Sequence, residues 1–337
     1  MDATAINDAG GARSAASITL ENVGKTYPDG TVAVGDFSLA VAAGELAVLI
    51  GPSGCGKSTI LRMINRLIEP SAGRILIDGR NVLEQDSTEL RRHIGYVIQN
   101  VGLFPHQNIR TNIGTVPRLL GWDKPRIAAR ADELLELVGL DPARYAKRYP
   151  HELSGGQRQR IGVARALAAD PLVLLMDEPF SAVDPIARGR LQEEFLRLQA
   201  TVRKTIVMVT HDIDEAVRLG DRIAVLGEGG RLMQYAAPAE LLSRPDSAAV
   251  GDFVGSDRGI RRLAVTLARD AMRPLDSDFA TDGRPTIGAA GTLYDALAVL
   301  LTVESPQVVV VDDGQPIGLL SRESIFDVPE REAEATV

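Results

Sequence analysis

The sequence predicts an α/β protein whose core is a parallel sheet around a phosphate-binding loop, followed by a smaller α/β domain. The first observation is a glycine-rich loop at residues 51–59, which lies between an apolar strand and a helical segment. The second is a regular alternation of apolar strands and helices over residues 172–234, which is typical of parallel α/β sheets. The third is a change of pattern after Gly255, where short strands surround a single amphipathic helix.

The loop satisfies the pattern G-x-x-x-x-G-K-[ST], in which glycines allow backbone N–H groups to converge on phosphate oxygens. It consists of Gly51, Pro52, Ser53, Gly54, Cys55, Gly56, Lys57, Ser58 and Thr59. An apolar strand at 46–50 precedes it, and a helical pattern at 60–68 follows. We expect Lys57 to reach the β- and γ-phosphates of a nucleotide and Ser58 to ligate Mg²⁺.

A second motif follows about a hundred residues later and consists of Ser154, Gly155, Gly156 and Gln157 at the start of a helix spanning 158–168. A hydroxyl and bare N–H groups at a helix start form an anion site. This segment resembles the signature sequence of ABC-type ATPases. The resemblance implies that the motif closes over the γ-phosphate held by a partner subunit, so that a homodimer forms two complete ATP sites.

Two further strands end in polar residues that suit ATP chemistry. The strand at 172–176 ends in Asp177 and Glu178. A carboxylate at this position beside the loop can hold Mg²⁺, and we assign that role to Asp177. Glu178 is then free to polarise the attacking water. The strand at 205–210 ends in His211, which matches the switch histidine of the ABC family and is expected to contact the γ-phosphate.

Three shorter matches complete the resemblance, which covers roughly residues 17 to 245. Tyr27 stands where the family stacks an aromatic ring on adenine. Gln99 stands where the family's glutamine contacts Mg²⁺ and the attacking water. Asp184 ends residues 181–184, which match the loop that crosses the dimer seam. The resemblance therefore implies ATP and Mg²⁺ as cofactors, with Glu178, His211 and Gln99 as the catalytic group.

The composition limits the remaining possibilities. The chain has 337 residues and a net charge of −8, so no general nucleic-acid-binding signal is present. Its one cysteine, Cys55, permits no intramolecular disulfide, which suits a reducing cytosol. We see no secretory signal and no uncharged apolar stretch of the roughly 20 residues that span a bilayer. A membrane task therefore requires a separate permease, with this chain peripheral at the cytoplasmic face of the inner membrane.

We predict four regions along the chain. Residues 1–16 form a disordered tail, 17–255 the ATPase domain, 256–328 a second domain and 329–337 an acidic tail. Within the ATPase domain, residues 17–42 alternate as in an antiparallel sheet. Residues 100–169 are mostly helical and resemble the inserted helical subdomain of the ABC family. We also expect residues 238–254 to be helical.

The second domain has the order strand, helix, strand, Asp-Gly turn, strand and helix over residues 286–326, with the first helix expected at 293–302, and this order resembles a CBS motif. A single copy is visible, so the ATPase dimer would bring two copies together. A small appendage that only supports dimerisation is the alternative. Family members that bind adenosine compounds carry an aspartate on the ribose where this chain has Ser324, which argues against a nucleotide sensor.

An ABC cassette with a CBS element resembles the ATPases of bacterial importers for glycine betaine, carnitine, choline and similar compatible solutes. Residues 99–106 resemble the same subgroup and place Leu103 and Phe104 near the permease, although helix packing would equally explain both. The resemblance also implies an extracytoplasmic solute-binding protein as an indirect partner. An importer for another solute such as an amino acid, a non-transport ABC ATPase and a purely regulatory binding module are the alternatives. A basic segment could bind anionic lipid; it contains Arg258, Arg261, Arg262, Arg269 and Arg273.

Overall fold

The computed structural model describes residues 15–99, 101–181, 183–275 and 283–326. The chain divides into two compact units, Met1–Tyr235 and Ala236–Val337. This division falls earlier than the boundary after residue 255 that we predicted. Most of the predicted disordered tail, residues 1–16, lies outside the described residues. Ala16 at its end is buried in the core, so the prediction was wrong at that residue. The acidic tail also lies outside them.

The first unit combines two sheets with a series of helices. Its strands are β1 (Ile18–Thr26), β2 (Val32–Val41), β3 (Leu46–Ile50), β4 (Ala72–Ile77), β5 (Arg80–Asn81), β6 (Ile94–Val97), β7 (Val173–Asp177), β8 (Thr205–Val209), β9 (Arg222–Leu226) and β10 (Leu232–Ala236). Its helices are α1 (Lys57–Ile64), α2 (Ser87–Arg92), α3 (Ile109–Ile113), α4 (Thr115–Leu119), α5 (Lys124–Leu137), α6 (Pro142–Tyr145), α7 (Gly155–Leu167), α8 (Pro185–Val202) and α9 (Ile213–Leu219). No described helix is both long and apolar enough to cross a bilayer.

The antiparallel sheet that we predicted near the N-terminus is present, with the strand order β2-β1-β4-β5. Its apolar residues alternate along β1 and β2 because one face packs on the core and the other meets solvent. Ile18, Leu20 and Phe37 supply that face and are almost wholly buried. They belong to the same core cluster as residues of the second sheet, so the two sheets share one hydrophobic core.

The second sheet has the order β10-β9-β3-β8-β7-β6, and the strands from β9 to β6 run parallel. Strands β3, β7 and β8 are buried along their whole length, as expected for a sheet covered on both faces. The carboxyl ends of parallel strands meet at one edge of a sheet, where ligands bind. The loop at 51–59, Gln99, Asp177 and His211 all follow or end such strands.

Helices α3 to α7 lie between β6 and β7, which confirms the predicted helical segment. Helix α1 begins and ends earlier than the predicted segment 60–68. It cannot extend to residue 68, because the chain turns at Arg66, whose φ of 47° lies in the left-handed region. Helix α7 begins at Gly155, and Ser154 caps its N-terminus with a reciprocal Gln157 contact. The signature residues therefore stand at a helix start, as predicted.

The second unit contains a four-stranded sheet with helices. Its strands are β11 (Arg273–Pro274), β12 (Thr286–Gly288), β13 (Gln307–Asp312) and β14 (Gln315–Ser321), in the order β11-β14-β13-β12. Its helices are α10 (Pro238–Ser243), α11 (Ala248–Val254), α12 (Arg258–Leu263), α13 (Ala268–Ala271), α14 (Leu293–Thr302) and α15 (Arg322–Phe326). The predicted order over residues 286–326 is confirmed.

One helical prediction in this unit was too long. We expected residues 238–254 to be helical throughout, but α10 and α11 are separate. Pro245 has no backbone N–H and disfavours a helical conformation at the residue before it. Arg244 accordingly has φ −131° and ψ 74°, outside the helical region.

Candidate nucleotide-binding and catalytic site

The glycine loop wraps around the N-terminus of α1 and approaches neighbouring backbone too closely for side chains. Gly56 has a φ of 104°, and a Cβ added there would lie 2.6 Å from the carbonyl oxygen of Ala33. A Cβ at Gly51 would likewise collide with the carbonyl of Leu226. Only glycine fits at these two positions. The loop therefore has the shape of a cradle whose N–H groups are available to phosphate oxygens.

Lys57 is 7% exposed and its ammonium group is held inside this cradle. Its Nζ donates to the carbonyl oxygens of Gly51 at 2.8 Å and Pro52 at 2.9 Å. The buried Cys55 thiol lies 3.7 Å from the same nitrogen and packs beneath the loop. A buried cation whose partners are two carbonyls and a thiol, all uncharged groups, is ready to exchange them for an anion, which fits the phosphate contact that we predicted for Lys57.

Ser58 and Asp177 meet although they come from α1 and the end of β7. The Ser58 hydroxyl donates to Asp177 Oδ1 at 2.9 Å. Burial raises the pKa of Asp177, while this hydrogen bond and the nearby Arg62 oppose the shift. A hydroxyl and a carboxylate oxygen are the hard ligands that Mg²⁺ prefers. The pair therefore fits an Mg²⁺ ion, which would neutralise the buried carboxylate and the charge of bound phosphates.

The structure brings together the three residues that we predicted to be catalytic. Gln99 Nε2 donates to Glu178 Oε2 at 2.9 Å, and His211 Nδ1 lies 3.3 Å from Glu178 Oε1. Glu178 has a φ of 46°, and its N–H donates to the carbonyl of Val209 at 2.9 Å. This left-handed conformation, rare outside glycine, turns the chain sharply after β7. The carboxylate consequently faces the segments that follow β6 and β8.

The signature residues are ordered by their own helix cap. The Ser154 hydroxyl accepts a 3.3 Å hydrogen bond from Gln157 N, and Gln157 Oε1 accepts one of 3.0 Å from Ser154 N. Gln157 Nε2 also donates to the hydroxyl of Tyr145 at 3.2 Å. Among the described residues, no hydrogen bond or ion pair joins Ser154–Gln157 to the loop at 51–59. This part of one chain therefore shows no such contact between the two anion sites that the resemblance assigns to one ATP.

The remaining predicted residues occupy the surface of the first unit. Asp184 is exposed and caps α8 by accepting a 3.0 Å hydrogen bond from Ala187 N. Tyr27 is half-buried, and Lys25 Nζ lies 5.4 Å from the centroid of its ring. A half-buried aromatic ring with a cation nearby is suited to stacking on a base.

Sequence reasoning missed three residues that support the site. Tyr145 holds Gln157, as described above. Arg165 on α7 donates to the carbonyls of Val101 and Gly102, each at 2.6 Å, and burial lowers its pKa. Gly162, one turn earlier, leaves room for Val101, because a Cβ there would lie 2.6 Å from a Val101 methyl carbon. These contacts join the signature helix to the segment after Gln99. No local pattern predicts them, because they depend on how distant segments pack.

The fold and the site together define a P-loop ATPase with an inserted helical segment and a signature motif. A family model described as "ABC transporter" matches residues 34–181. The chain is also 51% identical over 312 residues to the osmoprotectant import ATP-binding protein OsmV of Salmonella typhimurium, which covers 90% of this chain and 79% of that protein. This chain therefore belongs to the ABC transporter family of ATP-binding proteins, which are ATPases coupled to transport.

A second transport ATP-binding protein and one solved structure are also similar to this chain. The choline transport ATP-binding protein OpuBA of Bacillus subtilis is 51% identical over 297 residues, which are 88% of this chain and 76% of that protein. A dimeric post-hydrolysis structure of the ATP-binding cassette MJ0796, bound to ADP and Pi, is 34% identical with a TM-score of 0.59. That match covers 66% of this chain and 98% of the cassette. The predicted ATPase fold is confirmed by these similarities.

Proposed function

We propose that this chain is the ATP-hydrolysing subunit of a bacterial importer for glycine betaine or another quaternary-amine compatible solute. The observation that carries the proposal is the meeting of Gln99, Glu178 and His211 beside a complete phosphate-binding loop. The names of the two relatives, an osmoprotectant importer and a choline transporter, support the solute class. The amino-acid alternative has no support among them.

Within this proposal, ATP binds between two copies of the chain. Lys57 and the loop glycines hold the phosphates, Tyr27 stacks on adenine, and Ser58, Asp177 and Gln99 hold Mg²⁺. Glu178 orients the attacking water and His211 contacts the γ-phosphate. Ser154, Gly155, Gly156 and Gln157 of the partner complete the site, with Asp184 at the seam. The dimeric state of the similar cassette favours this arrangement.

The permease surface that we propose surrounds Phe104. Its side chain is 40% exposed, and Ile98 nearby in sequence is also exposed. Asn112, which is wholly buried, clamps the Phe104 backbone: its Oδ1 accepts from Phe104 N at 2.7 Å, and its Nδ2 donates to Phe104 O at 3.2 Å. A rigidly held exposed aromatic is typical of a protein contact. Leu103 is half-buried, which favours packing as its role.

The second unit is proposed to be a CBS-like regulatory domain that responds to ionic strength. Ser324 is 4% exposed and bonds to Ser321, whose N–H donates to Ser324 Oγ at 2.8 Å. It is thus used in a local helix cap, which argues against a ribose contact. Arg258, Arg269 and Arg273 are exposed and could face anionic lipid, whereas Arg261 pairs with Asp257 at 2.7 Å.

The proposal is tested by isolating the chain from native membranes together with its permease. We expect co-purification of an integral-membrane subunit and ATP-dependent uptake of radiolabelled glycine betaine or choline by the reconstituted complex. A complex carrying Glu178→Gln serves as the control without turnover. Uptake of an amino acid in place of both quaternary amines would overturn the solute assignment. Isolation without any membrane subunit would favour the non-transport alternative.

A further inference from the structure

A polar network joins the dimer-seam loop, residues 181–184, to the segment that carries His211. We propose that Arg188 is a positioning residue that transmits movement of the seam loop to His211 through Asp212. The inference rests on the role proposed above for His211 in ATP hydrolysis. Residue 182 of this loop lies outside the described residues.

The seam-loop side of the network is tied to the first turn of α8. Asp184 caps the helix through Ala187 N at 3.0 Å. Arg188 lies in the same turn, and its Nη2 donates back to the carbonyl oxygen of Val183 at 3.3 Å. Because both contacts join loop and helix, a displacement of the loop by a partner subunit also displaces the Arg188 guanidinium.

On the other side, His211 stands between two residues whose side chains fix the local backbone. The Asp212 carboxylate caps α9 by accepting from Asp214 N at 2.9 Å and Glu215 N at 3.2 Å. The Thr210 hydroxyl accepts from Asp212 N at 3.1 Å and donates to the carboxylate of Glu215. The backbone around His211 therefore follows the position of Asp212.

Arg188 contacts the Asp212 carboxylate, and its charge also acts on the carboxyl group of Glu215. Glu215 is only 5% exposed, and burial raises its pKa; the negative charge of Asp212 adds to the shift, while Thr210 and Arg188 oppose it. Helix α8 thus supplies a cation to the segment that holds His211.

The link between Arg188 and Asp212 is loose as it stands. Arg188 Nη1 lies 3.5 Å from Asp212 Oδ2, whereas charge-assisted hydrogen bonds are typically about 2.7–2.9 Å long. In the described part of the chain, Arg188 Nε is buried without a hydrogen-bond partner. The Arg188 guanidinium therefore has an unused N–H donor and only a long contact to Asp212. A second arrangement, in which two of its N–H groups bind the Asp212 carboxylate, is available to it. Movement of the seam loop would select between the two, which is the two-state element that coupling requires.

In the arrangement described here, His211 faces Glu178 at 3.3 Å. Tightening of the Arg188–Asp212 pair would draw the neighbouring His211 backbone toward α8. The histidine would then respond to the partner subunit as well as to nucleotide. A dimer would consequently hydrolyse ATP only after its seam loops are engaged.

The test measures ATP turnover and ATP affinity of the full chain for three single variants. Asp212→Asn keeps a capping side chain on α9 and removes the charge that faces Arg188. Arg188→Leu removes the cation, and Arg190→Leu removes an exposed cation from the same helix as a matched control. We expect the first two to lower kcat by about 2- to 30-fold. Binding of a fluorescent ATP analogue and the turnover of Arg190→Leu should be unchanged.

A double-mutant cycle with His211→Ala separates positioning from general destabilisation. If Arg188 acts through His211, adding Arg188→Leu to His211→Ala should lower kcat no further. The inference would be overturned if the fold reductions in kcat of Arg188→Leu and His211→Ala multiplied in the double variant. It would also be overturned if both Arg188→Leu and Asp212→Asn kept the wild-type kcat. If His211→Ala alone retains the wild-type kcat, His211 does not have the proposed role in ATP hydrolysis. The inference about Arg188 then fails as well, because it depends on that role. If Arg188→Leu does not fold, the same cycle with Asp212→Asn and His211→Ala tests the inference.

Discussion

Gln99 Nε2 donates a 2.9 Å hydrogen bond to Glu178 Oε2 across a sequence separation of 79 residues. The bond joins the segment that carries Gln99 to the carboxylate that we assign as the general base. Since Arg165 anchors the residues just after Gln99 to α7, a contact path runs from the signature helix to Glu178. Movement of the helical segment can thus be transmitted to the carboxylate of Glu178.

Glu178→Gln should retain ATP binding and nearly abolish turnover. The amide oxygen can still accept the hydrogen bond from Gln99, so the geometry persists while the charge that polarises water is lost. General-base catalysis contributes about 10²–10⁴-fold, and we expect a fall in kcat of that size. Size-exclusion chromatography with ATP should show an accumulated dimer. Wild-type turnover in the assembled transporter would refute the assignment of Glu178.

Lys57 and Ser154 should serve the same ATP only when they come from different chains. A mixed dimer with Lys57→Ala in one chain and Ser154→Arg in the other damages one site and leaves the second intact. Both changes in a single chain damage both sites. We therefore expect higher ATP occupancy in the first arrangement, measured by equilibrium binding. Equal occupancy would count against the head-to-tail dimer.

Arg165→Lys should loosen the segment after Gln99. Lysine cannot reproduce the planar fork with which Arg165 reaches the carbonyls of both Val101 and Gly102. We expect faster hydrogen exchange at residues 101–104 and a loss of stability of about 1.5–3 kcal/mol at most. Arg190→Lys, at an exposed position, is the control. Unchanged exchange would mean that the segment is held by packing alone.

Asp177→Asn should stabilise the folded protein near pH 7. Because burial raises the pKa of Asp177 above its value in the unfolded chain, ionisation of Asp177 opposes folding once the pH exceeds the folded-state pKa. At a pH below the unfolded-state pKa both states are protonated, and the penalty disappears. The variant's advantage in Tm should therefore shrink as the pH falls toward 4, at about 2–4 °C for each kcal/mol. Thermal denaturation without nucleotide, over a series of pH values, measures it. An advantage independent of pH would contradict this explanation.

If the exposed arginines of the second unit bind anionic lipid at low salt and thereby inhibit ATP hydrolysis, salt should relieve this inhibition. Each basic residue near such a surface contributes about 1 kcal/mol, and the Debye length falls from about 10 Å at 0.1 M salt to about 3 Å at 1 M. We expect the transport-coupled ATPase in anionic vesicles to rise with salt. A variant with Arg258, Arg269 and Arg273 changed to Gln should respond less. An identical salt response, or activation by AMP at constant salt, would exclude this sensor.

Much of the site was predictable because its residues lie in short, contiguous patterns. The glycine loop, the Asp177–Glu178 pair and His211 each follow an apolar strand, and parallel strands bring their carboxyl ends to one edge. Helix α14 was predicted at its observed bounds because its apolar spacing and Thr292 cap are local signals. The two helical errors had local causes as well, namely the turn at Arg66 and the break at Pro245.

The sequence by itself therefore determined the phosphate cradle, the order of strands and helices, and the membership of this chain in the ABC ATPases. Only the tertiary structure decided that Gln99 bonds to Glu178, that Arg165 anchors the segment after Gln99, and that Arg188 faces Asp212. The physical reason is the separation along the chain between the residues that interact. A motif fixes its own backbone through neighbouring residues, whereas contacts between distant segments depend on strand order, register and the packing of helices against the shared core.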